Sequence, residues 1–327
     1  MNSYWGVLFM AFSCAILILG CGKAEKRANV IVNEVSGEFD SNEDHGTSKI
    51  YNQENLARAQ FYRLLSSIET NGYNDDNKVV NAVFVNTLSK VFINSNSYVE
   101  NLLLSEQFSR LMDGQLIVQE LEIQNVSESL LTIVALVKNN SRNETNSETF
   151  QPIRIKADLV CSLGELPLFA NFDINEISSA AMTAEKISES QNQNRALSTI
   201  YYWLGLLEQL EGEVNPFQEI LGPEFQMKFS TGTQISSNTK MESWLNTRAK
   251  LLTDSQHEIY QVESILNDQN QMVVTMLVDW NGLTRDDNVM NAKTNQTWIL
   301  NINDGMSFPQ IINIEIEQIA PFTIVNS

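Results

Sequence analysis

The 327-residue sequence predicts an α+β fold made of two tandem units, each with three helices followed by a mostly antiparallel sheet. Two observations support this prediction. Apolar residues first recur at helical spacing and then at alternate positions, and this change of period occurs twice along the chain. In addition, residues of the first unit recur 142 positions later, and one constant shift over separate strands indicates a duplication. The matched pairs include Pro167 and Pro309, Asn171 and Asn313, Ile174 and Ile316, and Ile117 and Ile259.

The first unit is predicted to span 51–178. Apolar positions at helical spacing predict helices over Asn55–Thr70, Lys78–Leu88 and Tyr98–Met112. From Ile117 onward the apolar residues alternate, which predicts strands. The segment Leu130–Val137 is apolar on both faces, which is typical of a central strand. The remaining strands are expected over Ile117–Ile123, Ile153–Leu159 and Leu166–Ile174.

The second unit is predicted to span 179–327. The segment Ser178–Gln193 is either a helical linker or the front of one long helix. Further helices are expected over Leu197–Leu210, Pro216–Leu221 and Lys240–Leu252, with a short strand over Phe225–Phe229. Four longer strands follow, over His257–Leu266, Met272–Leu283, Thr294–Ile302 and Phe308–Gln318.

The charge of the chain excludes some partners. The formal net charge is −19 with a pI near 4.5, and no run rich in Lys or Arg is present. A nucleic-acid backbone would therefore be repelled, and direct adsorption to anionic lipid is disfavoured for the same reason.

The N-terminus has the pattern of an export signal. An apolar run over Val7–Leu19 is too short to span a membrane comfortably, and it ends in Ile18-Leu19-Gly20-Cys21 before the chain turns polar. This tetrad resembles the lipobox of bacterial lipoproteins. The resemblance implies cleavage after residue 20, lipidation of Cys21 and attachment of the chain to the bacterial cell envelope, facing the periplasm or the exterior. The alternative is an uncleaved N-terminal anchor helix, which also places the rest of the chain outside the cytoplasm.

Residues 21–50 carry little apolar periodicity and predict a flexible tether between the anchor and the first unit. The cysteines agree with this arrangement, because Cys14 leaves with the signal and Cys21 takes the lipid. Cys161 then remains alone, so the mature chain forms no intrachain disulfide. Its alternation with Ala157 and Leu159 predicts a small core residue.

The order of the elements carries a second resemblance. Each unit looks like the nuclear-transport-factor-2-like fold, also called SnoaL-like or ketosteroid-isomerase-like. The turn Asp304-Gly305-Met306-Ser307-Phe308-Pro309 and the strand Ile312–Gln318 look like the closing hairpin of that family. The resemblance implies two tandem cone-shaped domains, each with an apolar pocket at its open end. The family includes isomerases, dehydratases, cyclases and members that only bind or assemble, so the fold alone does not choose a function.

Two residues are candidates for acid–base chemistry. His257 begins a predicted strand and Asp279 lies in the next one, between Val278 and Trp280. A His–Asp pair of this kind serves as acid and base in a lyase or isomerase. The plainer interpretation is an exposed histidine at the start of a strand and an edge-facing aspartate.

Aromatic residues of the second unit are candidates for lining a pocket. Large aromatic side chains give much contact area in ligand cavities, but they are also efficient core residues. The candidate ligand-binding residues are Tyr202, Trp203, Tyr260, Trp280 and Trp298.

Other kinds of site are not indicated. The sequence contains no His/Cys cluster for a metal, no phosphate-binding loop and no nucleophile elbow, so no cofactor is expected. We therefore expect an exported, non-catalytic binding or assembly protein that takes a small apolar ligand or a protein partner. The alternative is a lyase or isomerase that uses His257 and Asp279.

Overall fold

The computed structural model describes residues 46–71, 84–85, 88–93, 96–112, 114–127, 129–141, 151–162, 165–176, 192–302, 308–320 and 323–325. Over these residues the fold is α+β, as predicted, with two separate sheets and two large apolar cores. The proposed signal and Cys21 lie outside the described residues. Within the described residues, no helix has both the length and the apolar character needed to cross a membrane.

Three helices of the first half lie wholly within the described residues: α1 (Gly46–Asn71), α2 (Asn96–Leu103) and α3 (Glu106–Met112). Residues 84–85 and 88, between α1 and α2, are also helical. Helix α1 begins inside the segment that was predicted to be a tether. One helix is predicted over Tyr98–Met112, but the structure has two, because the helix is interrupted at Leu104 and Ser105. The Ser105 hydroxyl accepts a hydrogen bond from the N–H of Phe108 at 3.2 Å, which caps the start of α3.

The first sheet has four strands in the order β1-β2-β3-β4, and neighbours are antiparallel. They are β1 (Gly114–Ser127), β2 (Leu130–Ser141), β3 (Gln151–Val160) and β4 (Leu168–Glu176). Alternate residues of β2 and β3, such as Ile133 and Ile155, are buried against α1 residues such as Phe61 and Leu65. Burial of this alternating face against the helix forms the first core.

The described residues of the second half form two α-helices, α4 (Gln193–Glu208) and α5 (Asn238–Leu251), and a 3₁₀ helix (Asn215–Glu219). Its strands are β5 (Leu221–Phe229), β6 (Gln234–Ile235), β7 (Leu252–Leu266), β8 (Gln271–Thr284), β9 (Val289–Asn301), β10 (Gln310–Gln318) and β11 (Thr323–Val325). Ser237 caps α5, since its hydroxyl accepts from the N–H of Lys240.

The second sheet has the strand order β6-β5-β10-β9-β8-β7, and β11 adds to β9. The pairing of β5 with β10 is parallel and the other pairings are antiparallel. The first half has a trace of the same parallel contact, a single bridge between Phe92 and Phe169. The two halves meet where α1 packs along α4, and this contact positions the buried polar groups described next.

Candidate functional site

His257 lies near the start of β7 and its ring points inward, toward the end of α4. Its Nδ1 is 3.1 Å from Oε1 of Glu208, the last residue of α4. Both side chains are almost completely buried, with 7% and 3% of their area exposed. The partner of the histidine is therefore a glutamate of the neighbouring helix.

The same Glu208 oxygen has two further partners. The backbone N–H of His257 donates to Oε1 at 2.6 Å, and the Asn55 side-chain amide donates to it at 2.8 Å. The Asn55 amide also donates to the backbone carbonyl of His257 at 3.1 Å. Since Asn55 belongs to α1, these bonds join the first half of the chain to the second.

Burial sets the protonation of this pair. Burial raises the pKa of Glu208 well above its ordinary value, against the hydrogen bonds from the His257 N–H and Asn55. Burial and the positive charge of Arg248 lower the pKa of His257 well below its ordinary value. Both shifts favour the neutral form of the pair, with a protonated carboxyl group and an uncharged imidazole, over two charged groups.

Arg248 forms a second buried polar contact beside this pair. Its side chain lies on α5 with 5% of the residue exposed, and its Nη2 donates to the Ser255 hydroxyl at 3.0 Å. The indole N–H of Trp280 donates to the same hydroxyl at 2.9 Å, and the guanidinium lies over the rings of Trp244 and Trp280. Burial lowers the pKa of Arg248 to about 10, so it remains charged at neutral pH.

Asp279, the predicted partner of His257, lies on the opposite face of the sheet. In the pairing of β7 with β8, His257 is opposite Trp280, whereas Glu258 is opposite Asp279. Because side chains alternate between the two faces, the sheet backbone separates His257 from Asp279. The geometry therefore does not form the predicted His–Asp pair.

On the outer face, Asp279 accepts hydrogen bonds from the Tyr260 hydroxyl at 2.7 Å and from the Lys293 ammonium at 2.6 Å. Partial burial alone would raise the pKa of Asp279, but these two hydrogen bonds and the charge of Lys293 lower it below its ordinary value. The carboxylate is therefore ionised and already paired near neutral pH.

The five predicted ligand-binding aromatics do not surround one cavity. Trp203 and Trp298 are core residues whose rings meet edge to face at 5.8 Å, and Trp298 is 0% exposed. Trp280 belongs to the Arg248 contact. Tyr202 stacks on Phe308 at 4.6 Å, and Tyr260 lies on the outer face of the sheet. The interior where an apolar pocket is expected is filled by a core of aromatic and aliphatic side chains.

A small cavity lies between the end of α4, the 3₁₀ helix and α5. Its volume of about 10 Å³ is room for one water molecule. Its lining includes Phe217, Leu245, Gln209 and Arg248. Two buried nitrogens of that lining, Nε2 of Gln209 and Nε of Arg248, have no hydrogen-bond partner among the described atoms. A single water would suit this space, whereas a larger ligand would not fit it.

Metal and thiol chemistry have little support in the described part of the chain. No group of three or more His, Cys, Asp or Glu side chains able to hold a metal ion occurs among those residues. Cys161, which follows β3, is a free and partly buried cysteine. Burial raises the pKa of its thiol to about 11, so it is protonated and unreactive at neutral pH.

Sequence reasoning missed the partners of His257. Helix α1 has Asn55 and Glu69 fourteen positions apart, and α4 has Asn194 and Glu208 at the same spacing. This repeated Asn–Glu spacing is the sequence feature that could have identified Asn55 and Glu208 as site residues. Alignment of the two units at a shift of 142 hides the repeat, because that shift places Glu69 on Glu211 and not on Glu208.

No protein-family model matches the chain, and no curated protein matches it. Solved structures match it over roughly two fifths of its length. An NTF2-like superfamily protein from Salmonella enterica is 10% identical, over 37% of this chain and 87% of its own, with a TM-score of 0.33. A hexachlorocyclohexane dehydrochlorinase from Novosphingobium barchaimii is 8% identical, over 39% and 86%, with a TM-score of 0.34. An uncharacterized cystatin-like-fold protein from Caulobacter vibrioides is 13% identical, over 40% and 92%, with a TM-score of 0.34.

Proposed function

We propose that the chain is an exported, lipid-anchored protein of the bacterial cell envelope that binds or assembles with a partner and does not catalyse a reaction. The burial of His257 is the observation that supports the absence of catalysis in this proposal. Its ring is held by Glu208, its backbone carbonyl by Asn55, and 7% of its side chain is exposed. A catalytic acid or base must reach its substrate, whereas these groups are occupied in joining two parts of the fold.

The filled interior of the second half supports the same proposal. Trp203 lies 5.0 Å from the ring of Phe217 and 5.8 Å from that of Trp298. Side chains that pack in this way leave no room for a substrate between them. Binding of a protein partner would therefore use the outer surface, while a small apolar ligand would require these rings to move.

Export and anchoring are proposed from the N-terminal sequence. The apolar run and the Ile18-Leu19-Gly20-Cys21 tetrad support cleavage before Cys21 and attachment of lipid to its thiol. Two or more acyl chains would hold the protein firmly, because each buried CH₂ contributes about 0.8 kcal/mol.

The second candidate function is a lyase or isomerase. One observation favours it, since His257 and Glu208 form a dyad in which a carboxyl group contacts the histidine at Nδ1. Such a dyad orients a catalytic histidine when the other ring nitrogen faces a substrate.

Chemical modification of histidine separates the two candidates. The chain has two histidines, His45 in the predicted tether and His257. We expect diethyl pyrocarbonate to modify His45 in the folded protein and to reach His257 only after unfolding, as read by peptide mass spectrometry. Free N-acetylhistidine in the same tube reports the activity of the reagent. Modification of native His257 at a rate near that of the free compound would favour the enzyme.

A further inference from the structure

We infer that the packing of α1 against α4 is a self-complementary interface between two copies of one folded unit, related by an approximate two-fold axis between Tyr62 and Tyr201. The partner that this surface fits is the other half of the same chain. The inference does not depend on the proposed function, because it rests on contacts between α1, α4, β1 and β7.

The helices contain matched residues at one shift. Three matched pairs contact the interface and each is separated by 139 positions: Asn55 and Asn194, Tyr62 and Tyr201, and Glu69 and Glu208. Ala57 and Leu65 of α1 also match Ala196 and Leu204 of α4 at this shift.

The matched tyrosines contact each other. The rings of Tyr62 and Tyr201 stack at 5.5 Å between centroids with 5° between their planes. In a two-fold arrangement, a residue meets its own counterpart only where it lies near the axis. The stack therefore fixes the position of the axis.

The matched asparagines make reciprocal contacts across the axis. Asn55 of the first half donates to the carbonyl of His257 in the second, at 3.1 Å. Asn194 of the second half donates to the carbonyl of Leu116 in the first, at 2.7 Å. In a two-fold interface each contact occurs twice with the roles of the partners exchanged. A head-to-tail arrangement of two copies would not give both contacts.

The matched glutamates complete each contact from within their own half. Glu208 accepts from the backbone N–H of His257 at 2.6 Å, and Glu69 accepts from the backbone N–H of Leu116 at 2.8 Å. Leu116 and His257 are 141 positions apart. One strand residue in each half is therefore held through its N–H by its own helix and through its carbonyl by the opposite helix.

The sheets carry the same correspondence. The pairing of β3 with β4 skips Ala170, and the pairing of β9 with β10 skips Ile312, which lies 142 positions later. Buried residues of β2 and β8 match at a shift of 141, as Ile133 matches Val274 and Val137 matches Val278. The shift changes from 139 in the helices to 141 and then 142 in the strands, so the stretch from the first helix to the last strand is three residues longer in the second copy. At the shift of 141, Ile117 corresponds to Glu258 and not to Ile259, which corrects the match made at 142.

The helices approach closely at matched small residues. A Cβ atom on Gly205 would lie 2.6 Å from Cδ2 of Leu56 and 3.0 Å from its backbone nitrogen. Ser66 occupies the matching position in α1 and is buried. A larger side chain at either position would separate α1 from α4.

If the two halves are a self-complementary pair, they should remain associated without a covalent connection. The test uses the full-length protein with a protease recognition sequence inserted within 177–191, and the uncut protein is the control. After cleavage we expect the fragments to co-elute in size-exclusion chromatography and to give a one-to-one complex in native mass spectrometry. Fragments that separate at micromolar concentration would overturn the inference.

The symmetry is tested on the cut complex. We expect Asn55→Ala and Asn194→Ala each to speed dissociation by roughly fivefold to thirtyfold. Asn55→Ala removes the hydrogen bonds to Glu208 and to the His257 carbonyl, and Asn194→Ala removes the one to the Leu116 carbonyl. Asn171→Ala is the matched control, since Asn171 bonds Asp173 in an exposed position. Circular dichroism shows that each complex is folded before the dilution that starts dissociation. An effect of only one interface asparagine, or effects no larger than that of the control, would contradict a two-fold interface.

Discussion

Asn55 and Glu208 lie 153 positions apart in the sequence, yet the Asn55 amide donates a hydrogen bond to Glu208 Oε1 at 2.8 Å within a buried site. The same oxygen contacts the backbone and the ring of His257. A polar group of the first half thus completes the hydrogen bonding of two groups in the second. Buried polar groups of this kind strongly specify an arrangement, because each is costly when its partner is removed.

The pKa shifts of Glu208 and His257 predict how the free energy of unfolding depends on pH. We expect it to be nearly constant between pH 4.5 and 6.5 and to decrease on either side of this range. The fold favours the neutral form of the pair, which carries one proton on the carboxyl group, because the pKa of Glu208 is raised above its ordinary 4.5 and that of His257 is lowered below its ordinary 6.5. Below pH 4.5 the unfolded chain binds two protons at these groups, so their contribution to stability falls as pH falls. Above pH 6.5 the unfolded chain binds none, so the contribution falls as pH rises, by at most about 1.4 kcal/mol per pH unit.

Glu208→Gln isolates this contribution. The glutamine side chain has a similar shape but does not titrate, so the free energy of unfolding of the variant should no longer decrease above pH 6.5. The decrease caused by His257 at low pH should remain, and it should begin below pH 6.5. The measurement is the free energy of unfolding from urea titrations between pH 4 and 9. Parallel profiles for the two proteins above pH 6.5 would refute the raised pKa of Glu208.

Truncation of Trp298 should cost stability and not ligand affinity. The side chain is fully buried against Trp203, and its indole N–H donates to Gln296 at 2.9 Å. We expect Trp298→Ala to lower the free energy of unfolding by about 3–5 kcal/mol. Tyr260→Phe, which removes one hydrogen bond on the outer face, is the control and should cost about 1 kcal/mol or less. A loss for Trp298→Ala no larger than that of the control would indicate a pocket residue.

Ser255→Ala should destabilise the protein more than its size suggests. The hydroxyl accepts from both Arg248 Nη2 and Trp280 Nε1, and it is fully buried. Removing it leaves two buried donors without that acceptor, at about 1–3 kcal/mol each. Thr253→Ala, which removes one exposed hydrogen bond on the same strand, is the control. Equal midpoints of urea denaturation for the two variants would show that the Ser255 contact contributes little.

Lipidation of Cys21 is tested at the N-terminus of the native protein. We expect the mature chain to begin at Cys21 and to carry acyl chains, as read by mass spectrometry, and Cys21→Ser to leave the membrane fraction. Cys161→Ser should remain with the membrane, because its thiol is a partly buried side chain after β3. An unmodified Met1 on a membrane-bound chain would instead favour an uncleaved anchor helix.

The strands of the second half were predictable because their alternation is regular. Met272 to Trp280 alternate between buried and half-buried positions along β8, as the sequence indicated. The site was not predictable, because it depends on register. A register shift between Tyr260 and Glu263 interrupts the pairing of β7 with β8, and spacing alone does not reveal on which side of the sheet Asp279 lies.

The contact between the halves escaped prediction for a different reason. The helices match at a shift of 139 and the last strands at 142, so a single shift could not align Glu69 with Glu208. The stacking of Tyr62 on Tyr201 also depends on how one half packs against the other. The spacing of apolar residues within a single helix carries no information about that packing.

The central claim is that Glu208 and Asn55 join the two halves through one buried site, and a double-mutant cycle tests it most directly. The free energies of unfolding of Asn55→Ala, Glu208→Ala and the double variant are compared with that of the unchanged protein. We predict that the two single losses together exceed the loss in the double variant by about 1 kcal/mol or more, because the residues share one hydrogen-bonded site. Losses that add to within about 0.3 kcal/mol would contradict the claim.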